Sequence, residues 1–320
     1  MAWGAEEPRR VIVEVPATSA NLGAGFDVLG LALDLTNEIH LEERDEPGLL
    51  VTIAGEGADT LPRDESHLAV QAVWRMYDEL GHPRPAGIHL HQENRVPLAG
   101  GLGSSATAIV GGLLAASELI GVPRDVEHIL NLAAELEGHP DNVAPALYGG
   151  LVTAVRQSSN KICAVSVPIN EAWSLAAVLA IPSCVVQTRV ARSVLKEYVR
   201  LEDAVFNVGR ASLFVASAAA GRLDVLSEAM QDRLHQDQRS SLVPGMAQAM
   251  QAARDAGALG ASLSGAGPTV LALVEPQHAE VVGEAMRAAF AEAGLDTRII
   301  QTVPRFDGAT VRTAAGRSVR

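Results

Sequence analysis

At 320 residues and 48% hydrophobic content, the chain is long enough to bury the cores of two modest domains. A formal charge of −13 argues against a nucleic-acid partner, because binding a phosphate backbone needs a basic face. The longest apolar run, residues 175–181, meets Pro182 far short of the roughly 20 residues that cross a bilayer, so no membrane partner is expected.

In chain order, residues 11–15 predict a strand, 21–27 a glycine-rich loop, 29–41 a mostly extended segment and 49–53 another strand. A helix is expected over 68–80, with Ala69, Val73, Met76 and Leu80 along one face and Gly81 ending it. Residues 88–91 alternate as a strand. From Ala106, the apolar residues Ile109, Val110, Leu113, Leu114 and Leu119 recur near helical spacing as far as the stop signal Gly121-Val122-Pro123. A helix over 125–136 leads into Glu137-Gly138-His139-Pro140-Asp141-Asn142, where glycine and proline predict a turn. Strands over 151–155 and 162–167 close the first half. The second half reads as a strand at 175–181, a long helical zone at 201–233, a helix at 246–256 and a strand at 259–263. A further glycine loop, a strand at 270–274, a helix at 278–293 and a strand at 297–303 follow. Strands and helices alternate without repeats, which predicts an α+β architecture.

The stretch Pro97-Leu98-Ala99-Gly100-Gly101-Leu102-Gly103-Ser104-Ser105-Ala106 feeds three glycines and two hydroxyls straight into a helix. Glycine lets the main chain come close to an anion, and the first helical turn adds unpaired N–H donors with a partial positive charge. The loop therefore predicts a phosphate site. It is not a Walker loop, which needs a lysine beside the Ser or Thr. Residues 101–106 fit G-x-G-x-x-A, but the approach is polar, ends in Pro97, and no acidic residue closes a following strand. That argues against the dinucleotide reading. Ser104 is equally suited to capping the helix.

The decapeptide 97–106 resembles the P-x-x-x-G-L-G-S-S-A signature of the GHMP small-molecule kinases. Residues 16–30, PATSANLGAGFDVLG, resemble that family's first motif in the form typical of its homoserine kinases, and residues 260–273, GASLSGAGPTVLAL, resemble its third. The resemblance covers nearly the whole chain. It implies a two-domain GHMP kinase fold. One domain, residues 1–168, is like domain 2 of ribosomal protein S5 with a left-handed βαβ unit, and the other, 169–320, is ferredoxin-like, with the active site between them.

The same resemblance implies ATP and Mg²⁺, with Pro97 to Ala106 and Thr107 around the nucleotide. It places the metal on Ser105 and Glu135, with Glu137, on another side of the helix, as the second choice. It assigns Asn21 and Asp27 to the hydroxyl and ammonium of L-homoserine, although from the residues alone both suit Asx turns equally. His139, Asp141 and Asn142 resemble a further substrate-facing segment, with Asp141 as a proton acceptor. Arg192 and Arg239 would fork the α-carboxylate. That role suits a chain in which 23 of the 25 basic residues are arginines, Lys161 and Lys196 being the others. Two residues depart from the pattern: Gln238 stands where the family usually has Tyr before the second arginine, and His67 stands where members often have Asn beside the adenine.

A homodimer follows from the resemblance. Cys163 and Cys184 lack metal-ligand spacing and read as reduced thiols, and Glu6, Glu7, Arg9 and Arg10 open the chain without an apolar block. A cytoplasmic protein is expected. The competing readings are another GHMP kinase for mevalonate or a sugar, a non-catalytic relative that only binds ligand, and an NAD-dependent oxidoreductase.

Overall fold

The first sheet grows from two long strands whose inward positions are all apolar. In the computed structural model, which describes residues 10–122, 125–313 and 318–319, β1 spans Arg10–Ala20 and β2 spans Leu29–Arg44. Val11, Val13 and Val15 of β1 and Ile39 and Leu41 of β2 are fully buried, while Arg10 is exposed. This alternation covers one face of an antiparallel pair. A register shift between Pro16 and Ala17 admits the proline, which cannot donate to the ladder, and lets β1 run five residues beyond the predicted end. Glu6, Glu7, Arg9 and Pro123 lie outside the described residues.

Next come β3 (Gly48–Gly55), α1 (Leu68–Glu79) and β4 (Gly87–Asn94), with β3 and β4 parallel, so that α1 is the crossover of a βαβ unit. The helix α2 (Ser104–Ile120) has 13 buried residues on all sides, because it lies between α1, α3 (Val126–Glu137) and the sheet. Gly111 packs against Ile39 and Val15, and Gly112 against the Ala69 carbonyl of α1. Close approach of α1, α2 and the sheet needs both glycines.

The segment after α3 is a helix rather than the expected turn. Gly138 in the left-handed region ends α3, His139 is extended, and Pro140 takes the first position of α4 (Pro140–Tyr148). Proline there forfeits no helical hydrogen bond. Then β5 (Leu151–Arg156) pairs with β2, and β6 (Ile162–Ser166) with β5.

The second sheet comprises β7 (Ala176–Pro182), then, beyond the helices, β8 (Gly260–Leu263), β9 (Val270–Val274) and, after the last helix, β10 (Thr297–Thr302). Its order is β10-β7-β9-β8, antiparallel throughout. That is the 4-1-3-2 order of a ferredoxin-like βαββαβ unit. Between β7 and β8 lie α5 (Thr188–Ser193), α6 (Leu201–Ala220), the short α7 (Leu226–Ala229) and α8 (Gln236–Arg239), and α9 (Met246–Asp255). The last helix, α10 (Ala279–Glu292), precedes β10. Gly221 in the left-handed region stops α6, so the expected helical zone at 201–233 breaks into pieces. Short α5 was not expected.

Ala176, Val178 and Ala180 of β7 face α9 and α10, while Leu175, Ala177 and Leu179 face a core shared with Leu22, Leu31, Leu33 and Leu102 of the first half. Burial on both faces explains the unbroken apolar run that the sequence shows here. The two sheets thus share one apolar layer. A boundary at 168/169 remains our proposal, with one departure. Strand β11 (Thr310–Thr313) returns from the C-terminal half to pair with β1, and β12 (Ser318–Val319) pairs with β11. Among the described residues no helix is long and apolar enough to cross a membrane.

A Cβ at Gly112 would lie 2.5 Å from the Ala69 carbonyl oxygen. Gly112→Ala should gain helix propensity of roughly 0.5–1 kcal/mol but lose more to overpacking, about 1–3 kcal/mol. A lower urea midpoint at unchanged m-value is the expected result, read by circular dichroism.

Candidate active site

Gly103, with φ 69°, caps α2 without a side-chain hydrogen bond, so Ser104 is the first helical residue and not the N-cap. Thr107 N–H to Gly103 O, at 2.9 Å, is the first helical hydrogen bond, which leaves the N–H groups of the first turn without helical partners. The loop before it is held through its own main-chain carbonyls. Ser264 Oγ donates to Gly101 O at 2.7 Å, Thr18 N–H donates to Leu102 O at 3.1 Å, and Thr269 N–H donates to Gly100 O at 3.3 Å. A Cβ at Gly101 (φ 74°) would sit 2.2 Å from the Ser264 carbonyl oxygen, and one at Gly103 would sit 2.1 Å from Thr18 Oγ1. Only glycine fits either place.

Above this loop a cleft of about 440 Å³ opens between the two halves of the chain. Pro97 to Ser105 line it. Ala106 and Thr107 do not: both are fully buried, and Thr107 Oγ1 donates to Ser104 O and accepts from Asn37 Nδ2. The expectation that these two touch a nucleotide is corrected to support from beneath the loop.

The pairing of Ser105 with Glu135 is also corrected. Ser105 Oγ donates to Glu137 Oε1 at 2.6 Å, whereas Glu135 is exposed, meets Arg75 at 3.3 Å and lines a different cavity. Residues two apart on a helix point to opposite sides, and it is the last residue of α3 that faces the cleft. Burial pushes the Glu137 carboxyl up, while the Ser105 hydroxyl works against it. A hydroxyl and a carboxylate oxygen in contact, beside a helix N-terminus, form an oxygen-donor pair of the kind Mg²⁺ takes.

At the far end of the loop, Asp27 (φ 57°) faces Arg192 of α5 in a two-pronged ion pair, with both N···O distances 2.9 Å. The hydrogen bond and charge of Asp27 raise the Arg192 guanidinium against the cost of burial. Arg239 is 2% exposed and donates to Ala191 O and Gly265 O, with Phe26 beneath it at 5.4 Å. Burial and neighbouring Arg192 lower its pKa.

Asn21 (φ 72°) donates from Nδ2 to Gly265 O and accepts the Asp27 N–H at Oδ1. Its visible work is to brace two loops. Asn142 accepts from Thr18 Oγ1 and so props the same loop from below. His139 Nδ1 lies 2.8 Å from Asp141 Oδ1; burial opposes its charge, but the Asp141 and Glu137 carboxylates outweigh that and raise its pKa.

Sequence reasoning missed His235. The ring is fully buried, stacks on Phe26 at 5.0 Å, and contacts Gly23 O through Nε2 and Arg239 NH1 through Nδ1. Burial holds it neutral, so Nε2–H donates and Nδ1 accepts from Arg239. Asp232, which accepts from the N–H groups of His235 and Gln236, was the available signal: an acid placed three residues before a histidine at a helix start.

The family model for the GHMP kinases N terminal domain matches residues 67–150, and that for GHMP kinases C terminal matches residues 214–292. A homoserine kinase of Moorella thermoacetica is 44% identical over 300 residues, covering 94% of this chain and 99% of that protein. The chain belongs to the GHMP kinases. Among solved GHMP kinases, the homoserine kinase from Cytophaga hutchinsonii has a TM-score of 0.86 at 33% identity, covering 97% of this chain and 100% of that one. A mevalonate kinase from L. major, in complex with R-mevalonate, has a TM-score of 0.72 at 18% identity, covering 92% and 96%, a likeness of fold alone. As a GHMP kinase, the chain uses ATP as a substrate.

Removing the Asn21 carboxamide leaves the Gly265 carbonyl and the Asp27 N–H short of a partner in a left-handed backbone. Asn21→Ala should cost about 2–4 kcal/mol of stability. Differential scanning calorimetry should show the lower Tm.

Proposed function

We propose that this GHMP kinase transfers the γ-phosphoryl group of ATP to the side-chain hydroxyl of L-homoserine, giving ADP and O-phospho-L-homoserine on the way to threonine. The observation that carries the reading is the Asp27–Arg192 pair with Arg239 beside it, at one end of a cleft whose floor is the Gly101–Ser105 loop. An anion and a cation side by side complement the ammonium and carboxylate of an α-amino acid. Mevalonate or a sugar alcohol has no ammonium to satisfy Asp27. The names of the relatives from Moorella thermoacetica and Cytophaga hutchinsonii support the same substrate.

The first-turn N–H groups of α2 and the glycine loop would hold the triphosphate tail. Ser105 and Glu137 would hold Mg²⁺, which when bound supplies positive charge to the phosphate oxygens. Arg192 and Arg239 anchor the amino acid so that its hydroxyl faces the γ-phosphorus in line, and Asn21 and Asp27 fix that end of the cleft. Phosphoryl transfer depends mainly on such positioning. Asp141, at the start of α4, accepts the hydroxyl proton in this scheme. The two free thiols support a cytoplasmic location. Relatedness suggests a homodimer, which sedimentation velocity tests.

An ADP-coupled assay with homoserine, mevalonate and galactose tests the reading, with turnover expected on homoserine alone. Turnover on another alcohol and none on homoserine would overturn it. Glu137→Gln should lower kcat roughly 100-fold while Glu135→Gln leaves it unchanged. Arg192→Ala and Arg239→Ala should each raise KM for homoserine about 10- to 100-fold, as for a lost hydrogen bond to a charged group.

A further inference from the structure

Arg192 stands on a segment that has little of its own to hold it. Between β7 and α6, residues 183–200 form a strap whose buried residues are Val186 and Ala191, and from which Val186, Thr188 and Arg192 face the cleft. Its helix, α5, has six residues, of which Ala191 alone is buried. A helix that short does not stand by itself in water, and two small apolar anchors do little against the conformational entropy of a strap this long. Yet the Arg192 guanidinium meets both carboxylate oxygens of Asp27 at 2.9 Å.

Polar ties therefore decide where Arg192 stands. At the start of the strap, Ser183 N–H donates to Asp296 O at 2.8 Å. Around Arg192 the main chain is tied twice, each time to a side chain of α8. Arg239 Nε donates to Ala191 O at 3.1 Å, one residue before Arg192, and Lys196 N–H donates to Gln238 Oε1 at 2.6 Å, four residues after it. Between the two, Leu195 N–H closes a turn on Arg192 O at 3.2 Å, so the tie at Lys196 carries back to Arg192 through a single turn of backbone.

One orientation of the Gln238 amide fits. Nε2 donates to Leu234 O, four residues back, while Oε1 accepts from Lys196. Turned over, the amide would set oxygen against a carbonyl and NH2 against an N–H. Gln238 is not among the residues that line the cleft. Adjacent on α8, Gln238 and Arg239 thus hold opposite flanks of Arg192.

Resting on the substrate reading above, we propose that Gln238 is a positioning residue for recognition of the substrate carboxylate. It touches neither the nucleotide nor the amino acid, and it fixes Arg192 by clipping the strap at Lys196.

Hydrogen–deuterium exchange of the full chain without ligand reads the clip itself. Exchange over residues 191–200 should be about 3- to 10-fold faster in Gln238→Ala, the factor of one lost hydrogen bond, with the two sheets unchanged. Gln238→Glu, which keeps an accepting oxygen, should exchange within about twofold of wild type. The ADP-coupled assay reads the consequence. Gln238→Ala should raise KM for homoserine about 3- to 10-fold, with kcat and KM for ATP within about twofold. In an Arg192→Ala background the same change should move that KM by less than about twofold, because the group it positions is gone.

Unchanged exchange in Gln238→Ala overturns the proposal. So does an equal effect on KM with and without Arg192, the mark of a general loosening. A wild type that leaves homoserine unphosphorylated overturns the substrate reading, and the exchange measurement then decides the clip: faster exchange in Gln238→Ala supports it, unchanged exchange overturns it.

Discussion

The site depends on one close approach, the main chain of Gly101 against the main chain of Ser264 and Gly265. A single methyl group at Gly101 would lie 2.2 Å from the Ser264 oxygen, so two loops carried by different sheets meet at a distance no side chain tolerates. Polar contacts then close around the junction: Ser264 Oγ with Gly101 O and Ser19 Oγ, and Asn21 Nδ2 with Gly265 O. Because Arg239 donates to the same Gly265 carbonyl, the anion-ready helix end and the cationic end of the cleft are tied through one peptide group. Distances within the cleft are thereby set by the backbone, which is stiffer than any pair of side chains.

Charge is arranged against the character of the whole chain. The protein is strongly acidic, yet two guanidinium groups stand within one cleft, where an anion gains most from them. Each is held by a separate device. Arg192 is matched by Asp27, and Arg239 is carried by two carbonyls, the Phe26 ring and a histidine kept neutral by burial. A protonated His235 beside Arg239 would place two cations in a nearly dry interior, which the low dielectric disfavours. The neutral ring can instead accept from Arg239 and donate to Gly23, linking the second half to the first glycine loop.

Local pattern was a good guide where one face or one loop decides the outcome, and a poor one where neighbours do. Helix α3 was expected from its periodicity, and the structure agrees to within a residue or two. Which of its two glutamates turns inward was not settled that way, because both sit in the last turn and only the packing of α3 against α2 sets the rotation. Residues 137–142 were read as a turn because Gly138 and Pro140 stand on either side of His139. They prove to be the end of one helix and the first residue of the next. Strand β11 gave no signal at all: four residues become a strand only because β1 offers an unpaired edge.

The sequence alone determined the glycine loop and the helix that follows it, since glycine spacing followed by apolar periodicity is a local property of consecutive residues. It also carried the family motifs and the alternation of strands with helices. Tertiary structure decided which carboxylate meets Ser105, that Thr107 supports the loop from beneath, that Arg192 and Asp27 form a pair, and that Gln238 meets the main chain of Lys196. Each of these is a contact between residues brought together by the joining of separate elements. Their geometry depends on how helices rotate and sheets stack, and no spacing along the chain encodes that directly.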